Sequence, residues 1–328
     1  MTKPPTSYQE PGGRWVHHFR QSFINDFRHC PEQARQKSQG LVPDSTSDSA
    51  LVGTLAHAAI ECFLLDQMDP DVAMQLIESH ADEIWPEDLE PTHVANRATG
   101  EILALDCFHR WHEYIWPIVR EGTWDTEDVE WQFEFLVYED EHRAIYIQGT
   151  ADLAGNPDIY DWKTGMRNYG YKKDDQTTIE RKAVWQNQRY DAQPSMYSMA
   201  KALELGWIDQ LDLRPHHLDQ ATPSNEVSLP DFHYARVPRE YSPTAEAQMP
   251  AEIVQITRTV ADARALVLEM QHLATLTEAR LPHWPLNPVE WWCSSSWCPV
   301  NEAGQCRGAF GLHYPSKNTL KGKGTKYE

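Results

Sequence analysis

GTADLAGNPDIYDWKTG, residues 149–165, is the stretch whose reading decides the fold. Gly155, Asn156, Pro157 and Asp158 carry turn chemistry. They separate two runs, Ile145–Leu153 and Ile159–Lys163, that read as short strands. A hairpin folded about its midpoint, between Asn156 and Pro157, sets Asp152 directly opposite Asp161. Opposed strand residues hold their Cβ atoms about 4.5–5.5 Å apart, and like charges there repel. A divalent cation shared by two hard oxygen ligands offsets that repulsion. Alternation puts Lys163 on the face of Asp161 and turns Trp162 away. Two carboxylates and an ammonium then converge, the equipment for metal-assisted attack of water on a phosphodiester. Taken alone, a D-x-K triplet favours the plainer reading of a hairpin with a surface ion pair.

The company of the triplet changes that balance. SFINDFRHCP at 22–31, GTLAH at 53–57, GTAD at 149–152, DWKTG at 161–165, Gln193 with Tyr197, and cysteines at 293–306 follow one another in this order. Over most of the chain, except the acidic stretch from about 65 to 128, the sequence resembles the RecB-type branch of the PD-(D/E)XK nucleases. The likeness is to the iron–sulfur exonucleases related to AddB and to the CRISPR-associated exonuclease family. It implies an α/β fold of the restriction-endonuclease-like type: a mixed sheet flanked by helices, with a helical insertion and a cysteine-bound cluster joining the N- and C-terminal parts. It implies Mg²⁺- or Mn²⁺-dependent hydrolysis of DNA, exonucleolytic and on single strands, in recombination, repair or CRISPR adaptation. His57, Asp152, Asp161 and the backbone carbonyl of Trp162 would hold the metal. Lys163 would orient the attacking water, and Gln193 and Tyr197 would position the strand.

The formal charge of -20 argues against a nucleic-acid partner only until its distribution is examined. Residues 65–141 hold 21 acidic and 3 basic side chains, a net of -18, so the remainder is near -2. From Lys163 to Arg189 the sign reverses, with seven basic residues against three acidic. Charges beyond a Debye length of about 8 Å are screened, so the local sign decides. In this segment Arg181, Lys182 and their neighbours alternate with Tyr169, Tyr171, Trp185 and Tyr190. Cations can follow phosphates while rings stack on unpaired bases, and a solvated helix with core aromatics fits equally well. The acidic stretch reads as a solvated helical insertion or as a docking surface for a basic protein partner.

Along the chain, residues 1–20 read as a loose arm. A helix capped by Ser22 follows and ends at Cys30-Pro31. Gly53 to Gln67 reads as a helix with an apolar stripe at Ala56, Ala59, Ile60, Phe63 and Leu64. His57 shares a face with Glu61 one turn on. A lone histidine there suits a core as well as a metal, and only the resemblance makes it a ligand. Further helices are expected near Val72–Ile84 and Glu101–Trp116. Val129–Val137 alternates as a half-buried strand, with Glu130 on its other face as an additional candidate at the metal site. Strands are expected at Leu203–Leu213 and Phe232–Val237, and a long helix from Pro250 to about Ala279. The nuclease domain is expected over 21–306, with a basic tail at 307–328.

Cys62 and Cys107 fall in apolar helices and read as structural. Cys293, Cys298 and Cys306 lie close together in sequence, and clustered thiols in a reducing compartment suggest a metal. Cys30 is the candidate for a fourth thiolate. The resembled family uses one early and three late cysteines to hold a [4Fe–4S] cluster. The late spacing here, C-x4-C-x7-C, is wider than its usual C-x2-C-x5-C. Structural Zn²⁺ suits four thiolates too. The N-terminus lacks a secretory signal, and no apolar run in the sequence reads as a membrane span, so a cytoplasmic location is expected. Two other readings stay open. One is a non-catalytic iron–sulfur DNA-binding subunit of a recombination or adaptation complex, and the other an endonuclease that nicks duplex DNA.

Overall fold

The computed structural model describes residues 7–41, 47–66, 69–89, 94–164, 192–214, 223–239, 250–281 and 284. The chain divides into two compact units, Met1–Ser45 with Leu136–Ile147 and Val267–Glu328, and Thr46–Phe135 with Gln148–Leu266.

In the first unit, β1 (Ser7–Gln9) and β2 (Trp15–Phe19) form an antiparallel hairpin, with Ser7 opposite His17. Residues 7–19 are therefore not a loose arm. The Pro11-Gly12-Gly13 sequence is the hairpin's turn, and Gly13 adopts φ +87°, a conformation that favours glycine. β2 runs parallel to the first half of β4 (Arg143–Ala154), from Trp15↔Arg143 to Phe19↔Ile147. α1 spans Gln21–His29 and α2 Pro31–Ser38, with Cys30 extended between them. The N-cap position of α1 is Arg20, so Ser22 lies inside the first turn and does not cap it.

α2 is hard to see in the sequence because it turns polar residues inward: Glu32, Gln33, Arg35 and Gln36 are all buried. Glu32 is the centre of their hydrogen bonding, while Gln33 donates to Asp26. Arg35 donates from Nε and Nη2 to the two oxygens of Glu32 at 2.9 and 2.6 Å. Gln36 donates to Glu32 at 2.9 Å, and the backbone N–H of Trp284 at 2.8 Å. Burial pushes the Glu32 carboxyl up, but these donors outweigh it and hold its pKa down at about 2, from an ordinary 4.5. A depressed carboxylate pKa stabilises the fold above the unfolded value and ceases to as pH falls through the folded one. Glu32→Gln should therefore be less stable than wild type at pH 7 by about 1–3 kcal/mol, with the gap closing between pH 4.5 and pH 2. Urea melts across that range measure it, and a gap that does not change with pH would contradict the assignment.

In the second unit, α3 (Asp48–Asp66), α4 (Ala73–Ile84) and α5 (Arg97–Arg110) pack together, and α5 continues through a π-helical turn at Trp111–Ile115 into α6 (Trp116–Val119). α3 is long and apolar enough to cross a membrane by length and composition alone, against the expectation that no apolar run reads as a span. Its buried positions (Leu51, Val52, Leu55, Ala56, Ala59, Ile60) belong to the unit's core. The acidic stretch contributes Ile77, Ala104, Phe108, Trp111 and Ile115 to that same core, together with Tyr160 and Trp162 of the central hairpin.

β3 is Val129–Glu139 and pairs with β4. The second half of β4 is antiparallel to β5 (Ile159–Lys163), β5 is parallel to β6 (Phe232–Arg236), and β6 is antiparallel to β7 (Glu252–Ile256). Seven strands thus hydrogen-bond in a mixed sheet, with helices packed on it. α7 (Gln193–Glu204) and α8 (Val260–Glu278) follow β5 and β7. Two expectations fail here. Leu203–Leu213 is no strand: α7 runs to Glu204, and Gly206 at φ +68° sits in the turn that follows. Pro250 does not open a helix, because the β-branched run EIVQI at 252–256 forms β7 and α8 begins only at Val260.

Candidate active site

The hairpin register is Leu153↔Tyr160 and Ala154↔Ile159, and continuing it by one residue sets Asp152 opposite Asp161. The two faces of β5 are used differently. Trp162 turns into the core, 5.3 Å from Trp111 in an edge-on contact. Asp161 and Lys163 occupy the opposite face.

Three elements deliver the side chains. α3 brings His57, whose Nδ1 lies 3.2 Å from Oδ1 of Asp152. Oδ2 of Asp152 accepts the backbone N–H of Trp162, which fixes the carboxylate across the hairpin. The start of α7 brings Gln193, with Pro194 in the first turn where its missing N–H is tolerated. The Gln193 amide bridges the pair on β5: its Nε2 donates to Asp161, and its Oε1 accepts from Lys163 Nζ at 3.1 Å. Lys163 and Asp161 form a direct ion pair. Tyr197, one turn along α7, is buried and donates its hydroxyl to the carbonyl of Thr150 at 2.8 Å. α7 is further tied down by buried Lys201, which donates to the carbonyl of Ala154 at 2.9 Å.

The site is electrostatically strained. Burial lifts the Asp161 carboxyl; Lys163 draws it back, and the neighbouring Asp152 carboxylate lifts it further. Burial lifts Asp152 as well, but His57 and the Trp162 N–H more than compensate and hold it low. Burial lowers His57, and Asp152 overcomes that and raises it. Glu130 at the start of β3 is pushed up to about 7 by burial, with Asp152 and Glu61 adding to the effect. Its backbone sits at φ +51°, which non-glycine residues seldom adopt. Strain of that kind concentrates at functional sites.

Gly149 shows why the GTAD segment needs its glycine. A Cβ there would stand 2.7 Å from Cζ of Phe133 and 3.2 Å from Cε1 of Tyr197. Gly149→Ala should push β4 away from both rings and destabilise the protein by about 1–3 kcal/mol. Thermal melts would show it, and an unchanged melting temperature would mean that the rings yield freely.

The two carboxylates and the imidazole are a donor set that suits a hard divalent cation. Like charges buried on opposed strands are what such a cation would relieve. Among the described residues, no three His, Cys, Asp or Glu groups already stand close enough to hold an ion. Asp161 is engaged by Gln193 and Lys163 instead of by His57 and Asp152. Arg181, Lys182, Cys293, Cys298 and Cys306 lie outside the described residues. Cys30 is buried and free, as is Cys107, while Cys62 is half-buried.

The profile of the PD-(D/E)XK nuclease superfamily matches residues 18–306. The chain belongs to this superfamily. No curated protein matches it. PD-(D/E)XK nucleases typically use divalent metals such as Mg²⁺, which accords with the donor set on the hairpin. One neighbour of that hairpin was not singled out from the sequence. Tyr234 on β6 lies directly beside Asp161 in the parallel pairing, and Arg236 beside Lys163. Phe232–Val237 reads as a strand, but nothing local to it says that β5 is its partner.

Proposed function

We propose that the protein is a Mg²⁺- or Mn²⁺-dependent DNA exonuclease of the RecB-type iron–sulfur branch, acting on single strands in recombination, repair or CRISPR adaptation. The observation that carries this reading is the gathering of His57 from α3 and Gln193 from α7 around Asp152, Asp161 and Lys163 of the hairpin. His57, Asp152, Asp161 and the carbonyl of Trp162 would hold the metal. When bound, it would polarise the scissile phosphate and lower the pKa of a water. Lys163 keeps a compact ammonium where negative charge develops, a task for which a point charge is well suited. Gln193 holds Asp161 and Lys163 in register. Tyr197 braces β4 through Thr150, two residues from Asp152. Glu61 and Glu130 would add carboxylates at the edge of the metal site, and Arg181 and Lys182 would follow the phosphates.

The cofactor proposal is a [4Fe–4S] cluster on Cys30, Cys293, Cys298 and Cys306, with structural Zn²⁺ as the alternative. It is supported by the burial of free Cys30 between α1 and α2. Trp284, nine residues before Cys293, is bonded to Glu32 and packs edge-on against Phe27 at 6.1 Å. Nine residues reach about 30 Å when extended, so the late cysteines are within range of Cys30. The acidic stretch would be the docking face for a basic protein partner.

The test is cleavage of end-labelled single-stranded DNA with Mn²⁺, by wild type and by Asp161→Ala. Shortening by wild type alone supports the reading, and equal shortening by both proteins would remove it. Covalently closed circles separate the activities: an exonuclease leaves them intact and an endonuclease does not.

A further inference from the structure

We infer that Tyr234 is a positioning residue for this site, acting on Lys163 through its ring. The inference rests on the nuclease reading above. β5 and β6 run parallel, with Asp161 beside Tyr234 and Lys163 beside Arg236. Four side chains therefore share one face as a square, with Tyr234 as its only uncharged corner. Its buried ring lies under Lys163 Nζ at 5.3 Å from the ring centre and under the Arg236 guanidinium at 5.8 Å. Both distances fall within the roughly 6 Å over which a cation is attracted to a ring face. Arg236 is paired with Glu252 at 3.2 Å. The ring thus gives Lys163 a face to rest on.

The hydroxyl is the lesser contact. It stands 3.5 Å from Gln193 Oε1, the same oxygen that accepts from Lys163 at 3.1 Å. Lys163 and Asp161 orient the Gln193 amide, its oxygen toward Lys163 and its nitrogen toward Asp161, and at this distance the hydroxyl adds little. The consequence concerns Lys163 chiefly. Its ion pair with Asp161 weakens whenever that carboxylate is also shared with a metal. The Gln193 amide is itself held by Asp161, but the ring of Tyr234 is not. The ring would keep the ammonium in place when Asp161 is engaged elsewhere.

Tyr234→Leu and Tyr234→Phe separate the ring from the hydroxyl. With single-stranded DNA and Mn²⁺, Tyr234→Leu should lose about 10-fold or more in kcat with KM nearly unchanged, while Tyr234→Phe stays within about 3-fold of wild type. A second readout needs no activity. Lysines dimethylated with ¹³C-formaldehyde keep their charge, and the Lys163 methyl signal, assigned with Lys163→Arg, reports the ring current of Tyr234. That signal should move to the position of a solvent-exposed lysine in Tyr234→Leu and stay in place in Tyr234→Phe. Should Tyr234→Leu fail to fold by circular dichroism, Tyr234→Met makes the same comparison. An unmoved signal in the ring-less variant overturns the inference, as does a Tyr234→Phe protein impaired as much as Tyr234→Leu. If wild type cleaves no DNA, the nuclease reading fails while the methyl signal still decides the packing.

Discussion

Lys163→Ala is expected to lower the rate of metal-dependent DNA cleavage by about 10²–10³-fold while the protein stays folded. The Lys163 side chain is 34 % exposed, against 8 % for Asp161. Its removal opens no core cavity, so the melting temperature should change by no more than a few degrees. The loss falls on the chemical step, because the ammonium opposes negative charge that is greatest in the transition state. Single-turnover kinetics with labelled single-stranded DNA should therefore show the loss in the rate constant, with the apparent affinity for DNA little changed. Lys163→Arg keeps the charge but spreads it over a planar fork that cannot sit as a point charge between Gln193 and the Tyr234 ring. It should recover only part of the rate. A Lys163→Ala protein that cleaves within tenfold of wild type would take the catalytic role away from this residue.

The hairpin that carries Lys163 was legible because its determinants are local. Turn residues at 155–158 and period-two alternation on either side fix a midpoint, and the midpoint fixes the register that sets Asp152 opposite Asp161. The strand at Val129 and the buried face of α3 were legible for the same reason: one face is apolar and the period is clear. The failures share a different cause. Ile253 and Ile256 continue the three-and-four spacing of Val260, Ala263, Val267 and Met270, so strand and helix read as one helical stripe. The ends of β7 and α8 separate them at residues 257–259. α2 escaped notice because its inward face is an ion-paired network, and composition alone reads such a segment as surface. At the site, His57 and Gln193 owed their selection to the resemblance, since a lone His or Gln on a helix carries no local signal. Tyr234 had neither a local pattern nor a motif. Its importance comes from the parallel pairing of β5 with β6, which joins residues more than 70 positions apart.

Cys30→Ser is the substitution expected to alter stability most. On the four-cysteine reading, a cluster joins Cys30 to Cys293 across about 260 residues of chain. Closing a loop of that length lowers the entropy of the unfolded state by an amount equivalent to about 5–6 kcal/mol. A protein of this size loses roughly 2–4 °C of melting temperature per kcal/mol, so the variant should melt about 10–20 °C lower. The substitution itself removes little packing, because Cys30 is a small side chain between two short helices. Most of the loss should therefore track the metal. Protein purified without oxygen should be brown, with about four irons per chain, and Cys30→Ser should be colourless. Cys62→Ser provides the control, since Cys62 lies in α3 and has no part in the four-cysteine set. It should keep the colour. Zinc in place of iron in the wild type would give the same fall in melting temperature without the visible absorption, and would change the metal while keeping the staple. A Cys30→Ser protein that keeps its full metal content and its melting temperature would show that the chain ends are not joined through this residue.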